Sequence, residues 1–200
     1  MTIAIREAPF YSQKWNLTDW KNLGFESYDD AEHWQRSSCG ILCLKMAIDA
    51  AKMANGKPLS LPIVEFIKKG IAFGAYSADV GWTHDGLVLI AKDMGFEALR
   101  KEHVSIDDLV QAIKEGFLPI VSIKWAFESR KSLKERIFLW KKPGGHLALV
   151  VGYEETENEI KALYVHHTSV REEYNWKNKY ITPHQFEEGF TGRCIFVKVS

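Results

Sequence analysis

The spacing of apolar and polar residues divides the chain into a helical first half and a second half rich in strands. The clearest helix spans Cys39 to Asn55 and follows a Ser-Ser pair at 37–38, either of which can cap it. Its polar residues fall on one narrow stripe, so the helix is predicted to be mostly buried. Shorter helices are predicted near 62–69, 84–94, 105–116 and 182–189.

The second half alternates β-branched and aromatic residues in the manner of strands. Strands are predicted at 118–125, 146–154, 159–167 and 193–199, and the short spacing between the middle two favours an antiparallel sheet. The charged, amphipathic segment 126–142 is predicted to be a helical, mobile flap. No repeat or linker divides the chain. We therefore expect an α+β fold in a single domain, 1–200, with a helical lobe over about 1–116, a sheet lobe over about 117–200 and a cleft between them.

Charge and composition narrow the class of protein further. The chain has 200 residues, with 26 Lys+Arg against 26 Asp+Glu, which gives no electrostatic case for binding nucleic acid or an anionic membrane. Its apolar runs are far shorter than the roughly 20 residues that cross a bilayer, so no membrane association is expected and the protein is predicted to be soluble. Arg6 and Glu7 interrupt any signal-peptide core, and three cysteines are too few for a disulfide framework. A cytoplasmic location with free thiols is the expectation.

The candidate nucleophile is Cys39, in the first turn of the buried helix. Unpaired N–H groups and the positive end of the helix dipole favour a thiolate there. The following Gly40 is expected to leave room for a substrate carbonyl beside the sulfur. A lone cysteine at this position is equally compatible with a small apolar residue that fills a helix start.

His146 is the candidate general base. It follows the Gly-Gly pair 144–145 and begins an apolar strand, which places its imidazole at the edge of the cleft. A cysteine early in the chain and a histidine about a hundred residues later, each at the end of a regular element, is the pattern of a thiol–imidazole pair. Alone, His146 is also compatible with an ordinary histidine at a strand end.

Several segments together resemble a known family. The runs YSQ (11–13), SCGILCLKMAI (38–48), GWTHDGLVLIAKDMGF (81–96), GGHLALVVGY (144–153) and YVHHTS (164–169) are similar to papain-fold cysteine peptidases related to the bacteriocin-processing, double-glycine leader peptidases. The resemblance covers nearly the whole chain. It implies a papain-like fold in which the cysteine helix packs on an antiparallel sheet, with Cys39 as nucleophile and His146 as general base.

The same resemblance implies an oxyanion-hole glutamine upstream of the cysteine, and two residues qualify. Gln13 lies in the YSQ segment and is preferred, whereas Gln35 is so close to the helix cap that its side chain is as compatible with a surface role. Either amide has an N–H to donate to a developing oxyanion, a contribution of about 3 kcal/mol.

The sequence departs from the family at the third catalytic position, where an Asp or Asn is expected. His166 and His167 stand there instead, and strand alternation allows only one of them to face His146. Alignment with the motif selects His167. A neutral imidazole has a nitrogen that accepts a hydrogen bond from His146, but it lacks the charge with which a carboxylate stabilises imidazolium. The departure therefore leaves weak, altered or absent activity open.

The remaining candidate residues concern the groove. Trp82, Gly40 and Gly145 are the candidate substrate-binding residues. Trp34 and Tyr76 are further candidates for an aromatic lining, and the candidates for a polar lining are His84, Asp79 and Asp85. No metal site is expected, because Cys39 and Cys43 have helical rather than zinc-knuckle spacing and adjacent strand histidines point apart.

The sequence therefore predicts a cysteine peptidase or amide hydrolase that acts on a peptide or protein through a thioester on Cys39 and needs no cofactor. Two alternatives remain open. One is an amidase or acyl transferase that uses the same pair on a small molecule. The other is a catalytically silent papain-like module that binds a peptide.

Overall fold

The computed structural model describes residues 1–124, 126–127, 145–157 and 159–200. The flap predicted at 126–142 lies outside these ranges except for its first two residues. The helices are α1 (Trp20–Leu23), α2 (Tyr28–Ser37), α3 (Cys39–Ala54), α4 (Ile63–Ala72), α5 (His84–Asp93), α6 (Ile106–Lys114) and α7 (Pro183–Gly189).

The strands form one large antiparallel sheet and one small hairpin. They are β1 (Thr2–Ile5), β2 (Tyr76–Ser77), β3 (Gly81–Trp82), β4 (Ala98–Lys101), β5 (Phe117–Ile123), β6 (His146–Thr156), β7 (Glu159–His167), β8 (Trp176–Ile181) and β9 (Phe190–Lys198). The large sheet has the order β4-β9-β5-β6-β7-β8, and β1 pairs with the far end of β6. The small hairpin joins β2 to β3.

The α+β class is confirmed, and the predicted helices and strands form close to their predicted bounds. Three of the expected caps are present, since the side chains of Thr83, Ser105 and Thr182 accept from the backbone of α5, α6 and α7. Ser38 occupies the cap position of α3, but its side chain makes no cap hydrogen bond.

The sequence patterns missed α1, α2 and the strands β1, β2, β3, β4 and β8. Two of these strands, β1 and β4, belong to the first half of the chain and yet join the large sheet. The sheet is therefore not built from residues 117–200 alone, which corrects the predicted boundary between the lobes. The single-domain organisation stays a prediction.

Helices cover both faces of the sheet, and alternate residues of β6 pack against the two helical layers. Leu147, Leu149 and Val151 pack with α3, α4 and α5 in one core. The intervening Ala148 and Val150 pack in a second core together with residues of α6 and α7. Because every residue of α3 from Gly40 to Ala51 is buried, this helix is held on all sides and presents Cys39 from a rigid support.

The polar stripe of α3 is buried as well, and it anchors a neighbouring segment. Lys45 Nζ lies 2.7 Å from Asp49 Oδ2, and the Tyr11 hydroxyl donates to the same carboxylate at 2.8 Å. The backbone N–H of Ser60 donates to the other oxygen at 2.6 Å. Burial opposes ionisation, but the hydrogen bonds from Lys45, Ser60 and Tyr11 hold the pKa of Asp49 below its usual value. This network fastens the segment that leads to Gln13 against α3.

Candidate active site

Cys39 is the first residue of α3, as predicted, and it is partly exposed. Burial of the sulfur raises the pKa of the Cys39 thiol, and the backbone N–H groups of Leu147, Gly40 and Cys39 itself offset this only in part. The helix N-terminus therefore does not make Cys39 a resting thiolate, contrary to the expectation from the sequence. The thiol form is the resting state, and a base must take its proton during attack.

Leu147 connects α3 to the strand that carries His146. Its backbone N–H acts on the sulfur of Cys39, and its carbonyl accepts from the thiol of Cys43 at 3.4 Å. Two sulfurs one helical turn apart therefore contact the same residue of β6. Since Leu147 directly follows His146, these contacts place the candidate nucleophile beside the start of the strand that bears the candidate base.

His146 begins β6, as predicted, and its ring is oriented by a backbone group. Its Nε2 lies 2.9 Å from the carbonyl oxygen of Thr168. A carbonyl only accepts, so Nε2 carries the proton and Nδ1 holds the lone pair of a neutral imidazole. Burial lowers the pKa of His146 to about 4, although the bond to Thr168 acts in the opposite direction. His146 is therefore a neutral base near pH 7. Within the described ranges no hydrogen bond joins it to Cys39 in the resting state.

The two adjacent histidines point to opposite sides of β7, as alternation required. The ring of His167 lies against that of His146, with centroids 4.5 Å apart and planes inclined by 37°. His166 faces away, where its Nε2 donates to the carbonyl of Ala8 at 3.3 Å and its Nδ1 accepts from the N–H of Asn178 at 3.1 Å.

The role expected for His167 is nevertheless corrected. The acceptor for His146 is the carbonyl of Thr168, the next residue along the chain, and not the imidazole of His167. His167 itself donates from Nδ1 to the carbonyl of Tyr174 and packs between His146 and Trp176. It packs against the side of the His146 ring, and the group that lies within hydrogen-bond distance of His146 is a backbone carbonyl rather than a side chain.

The structure distinguishes the two candidate glutamines. Gln13 is buried, and its Nε2 donates to the carbonyl of Gln35 at 3.1 Å, in the last turn before Cys39. Its backbone N–H donates to the hydroxyl of Thr168 at 2.7 Å, so it also touches the residue that orients His146. Gln35 instead donates its side-chain amide to the carbonyl of Trp15 at 2.8 Å. Gln13 thus lies between the two candidate catalytic elements, and Gln35 is used in holding the N-terminal loop.

Two buried polar atoms beside these elements lack a hydrogen-bond partner within the described part of the chain. They are Oε1 of Gln13 and Oγ of Ser38, the residue before Cys39. Buried polar groups are nearly always paired, and unpaired ones are concentrated where strain or function requires them.

Gly40 has a packing role that the sequence did not indicate. A Cβ on this residue would lie 2.7 Å from Cβ of Trp82 and 2.9 Å from Cδ1 of Leu147. The expected space for a substrate at the α-carbon is therefore filled by these two side chains, and that expectation is corrected. Trp82 is itself buried, and its indole N–H donates to the carbonyl of Ser37 at 2.6 Å, which ties β3 to the turn that precedes Cys39.

A cavity of about 510 Å³ opens beside this cluster. Gly145 and Leu147, the neighbours of His146, line it together with Trp82. The sequence placed a polar lining in the same region, and all three of those residues line the cavity: Asp79, His84 and Asp85. Trp34 and Tyr76 instead pack against Trp82 as an aromatic cluster.

Some site components carry no sequence signal. The carbonyls of Thr168 and Tyr174 act through the backbone, which any residue type supplies. Ser122, Arg100 and Arg193 line the cavity but come from three different strands, so no local motif groups them. The three residues come together only through the pairing of their strands in the sheet.

Metal ligands and membrane spans are two further features of interest. The described residues contain no group of three or more His, Cys, Asp and Glu side chains that could hold a metal ion. Among the helices described, none combines the length and the apolar character that crossing a bilayer requires.

Solved structures of three proteins share this architecture. A double-glycine motif protease from an AMS/PCAT transporter, in complex with the leader peptide, has a TM-score of 0.56 and 17% identity over 100% of both chains. The peptidase domain of Streptococcus ComA, a bifunctional ABC transporter of a quorum-sensing pathway, has a TM-score of 0.52 and 18% identity over 82% of this chain and 93% of that chain. A C39-like peptidase from Bacillus anthracis has a TM-score of 0.59 and 12% identity over 98% of both chains.

No protein-family model and no curated protein matches the sequence. The structural likeness therefore speaks for the fold, which is maintained at identities of 12 to 18%. The chain has the papain-like α+β fold of the double-glycine and C39-like cysteine peptidases, as the sequence resemblance implied.

Proposed function

We propose that the chain is a cysteine peptidase that cleaves a peptide bond through a thioester on Cys39. The observation that carries this proposal is the orientation of His146, whose Nε2–H donates a hydrogen bond to the carbonyl oxygen of Thr168 at 2.9 Å. This leaves Nδ1 as the basic nitrogen, on a residue whose direct neighbour in β6 has its backbone N–H close enough to Cys39 to lower the pKa of that thiol. The solved proteins that share this fold are peptidases, and one of them was solved with a leader peptide bound, which supports a peptide substrate.

The reaction begins from a neutral pair. As Cys39 Sγ attacks the substrate carbonyl carbon, its proton passes to Nδ1 of His146, and the carbonyl oxygen becomes an oxyanion. The backbone N–H of Cys39 and the side-chain amide of Gln13 are the proposed donors to this oxyanion. His146 then gives the proton to the leaving amine, which departs and leaves an acyl-thioester on Cys39.

Hydrolysis completes the cycle. Water attacks the thioester carbonyl while His146 takes a proton from it, and the thiolate that leaves recovers this proton from the imidazolium. Because Thr168 offers a carbonyl dipole and no negative charge, it stabilises the imidazolium less than a carboxylate does. We therefore expect turnover to be slower than that of a Cys-His-Asp site. No step needs a cofactor.

The experiment is a peptide-library cleavage assay on the full chain, combined with mass mapping of alkylated cysteines. We expect cleavage that is abolished in Cys39→Ala, and we expect iodoacetamide to label Cys39 before Cys43 or Cys194, which are both fully buried. Cys194→Ala is the matched control, since it removes a thiol far along the chain from the proposed nucleophile.

Three results would count against the proposal in different ways. Preferential labelling of Cys43 or Cys194 in the folded protein would overturn the choice of nucleophile. A labelled Cys39 in a protein that binds library peptides but cleaves none would instead support the catalytically silent module. Hydrolysis restricted to small amides would favour an amidase. We propose a cytoplasmic location as well, for which three free cysteines are typical.

A further inference from the structure

The cavity beside His146 has a charged lining that the proposed reaction does not use. Gly145 and Leu147, the chain neighbours of His146, contribute to its wall, and the backbone N–H of Leu147 also acts on the sulfur of Cys39, so the cavity adjoins the candidate nucleophile. Its volume of about 510 Å³ is within the range of small-ligand sites in proteins. A cavity in this position selects substrates by the side chain or terminus that enters it.

The charges of the lining are not all paired with one another. Arg100 Nη1 lies 2.9 Å from Asp85 Oδ2, and its Nη2 lies 3.4 Å from Glu102 Oε1, so one guanidinium holds both carboxylates. Arg193, which also lines the cavity, makes no ion pair with any residue of the described ranges. It is a cation available to a ligand.

The inner wall places polar groups next to that cation. Ser122 is buried in β5, and its hydroxyl lies 2.7 Å from Nε2 of His84, the first residue of α5. Burial is the main cause that lowers the pKa of His84. The charges of Arg193 and Arg100 lower it further, and their effects are larger than the opposite effects of Asp85 and Glu102. Both guanidiniums therefore lie close enough to His84 to lower its pKa, and the neutral form of this ring is favoured.

The remaining carboxylate of the cavity lining is that of Asp79. It belongs to the exposed turn between β2 and β3 and is not among the charges that shift the pKa of His84. Arg193 is exposed too, but its charge acts on His84, so the wall formed by His84 and Ser122 has this guanidinium beside it. A ligand that fits this wall carries a carboxylate that pairs with Arg193.

We propose that this cavity is a specificity subsite for a substrate carboxylate near the scissile bond, with Arg193 as the residue that binds it. The inference rests on the proposed peptidase function. The carboxylate belongs either to an Asp or Glu side chain or to a free C-terminus, since both present the same two oxygens to a guanidinium.

The test uses internally quenched, C-terminally amidated peptides built on a sequence that the library assay shows to be cleaved. Glu, Gln or Lys is placed in turn at each of two positions on either side of the cleaved bond, and a further pair ends in a free carboxylate or an amide. Values of kcat/KM are measured for the active protein, and Kd values for Cys39→Ala, which binds without turnover. Arg193→Gln and Arg193→Glu are compared with Lys92→Gln, which removes an exposed cation that does not line the cavity.

At one position we expect Glu to be preferred over Gln by about 10-fold or more, as for a hydrogen bond to a charged group. This preference is lost in Arg193→Gln, reverses in favour of Lys in Arg193→Glu and is unchanged in Lys92→Gln. A preference shown only by the free terminus assigns the site to a C-terminal carboxylate.

Equal kcat/KM and Kd values for Glu and Gln at every position, or a preference for Lys in the parent protein, would overturn the subsite and leave the peptidase proposal intact. A protein that neither cleaves peptides nor reacts at Cys39 would overturn the proposed function and this inference with it. The two failures are thus separate observations.

Discussion

The pH at which activity is lost on the acid side tests whether His146 acts as a neutral base. The perturbation is a change of pH. Burial lowers the pKa of His146 from 6.5 to about 4, which corresponds to about 3 kcal/mol in favour of the neutral ring. At pH 5 about 90% of His146 is then neutral, whereas a histidine with the ordinary value of 6.5 would be about 3% neutral. The two cases differ about 30-fold in available base.

The assay is kcat/KM for a library-derived peptide between pH 3.5 and 8, because this parameter reports groups of the free enzyme. We expect a plateau that persists to about pH 5 and falls with a midpoint near 4. The exposed His184 is the matched control, and His184→Gln is expected to leave the profile unchanged. A midpoint near 6.5 in the parent protein would refute the buried, neutral base.

Folding must be followed in parallel, since the same pKa affects stability. The unfolded chain binds a proton at His146 near pH 6.5 and the folded chain only near 4, so the unfolded state gains protons first as the pH falls. The stability that the neutral ring provides is complete above pH 6.5 and is lost as the pH falls toward 4. Circular dichroism at each pH separates this loss from protonation of the folded enzyme.

Two further predictions concern the support of the site. Asp49→Asn leaves Lys45 as a buried charge without its carboxylate partner, and chemical denaturation is expected to report a loss of about 3–5 kcal/mol in the free energy of unfolding; a loss below about 1 kcal/mol would contradict the buried pair. Gly40→Ala introduces a Cβ 2.7 Å from Cβ of Trp82, so thermal and chemical unfolding are expected to show about 1–3 kcal/mol of destabilisation. Gly145→Ala is the control, because its nearest contact would be 3.4 Å, and equal effects of the two substitutions would refute the packing role.

Local patterns in the sequence were sufficient for the elements that carry the candidate site. A capped, apolar run predicted α3 with Cys39 at its start, and an apolar strand after glycines predicted His146 at the head of β6. Strand alternation and the motif together selected His167 over His166 as the ring that faces His146, and the ring contact agrees with that choice. Each of these signals lies within a window of a few residues, where helical or strand period and capping chemistry act directly.

The tertiary structure alone decided which hydrogen bonds these residues make. The acceptor for His146 is the carbonyl of Thr168, and a backbone group leaves no trace in the residue type. Gln13 reached the site because a buried network around Asp49 and a bond to Gln35 hold its loop, contacts that join distant parts of the chain.

The electrostatics of Cys39 and His146 also belong to the whole fold. A helix N-terminus predicts a lowered thiol pKa from sequence alone, but desolvation by the surrounding elements outweighs it and raises that pKa. The same burial keeps His146 neutral. The sequence by itself therefore determined which residues stand at the ends of which elements. The packing of those elements decided which hydrogen bonds and protonation states they have, because burial sums contributions from many segments that no single stretch of sequence contains.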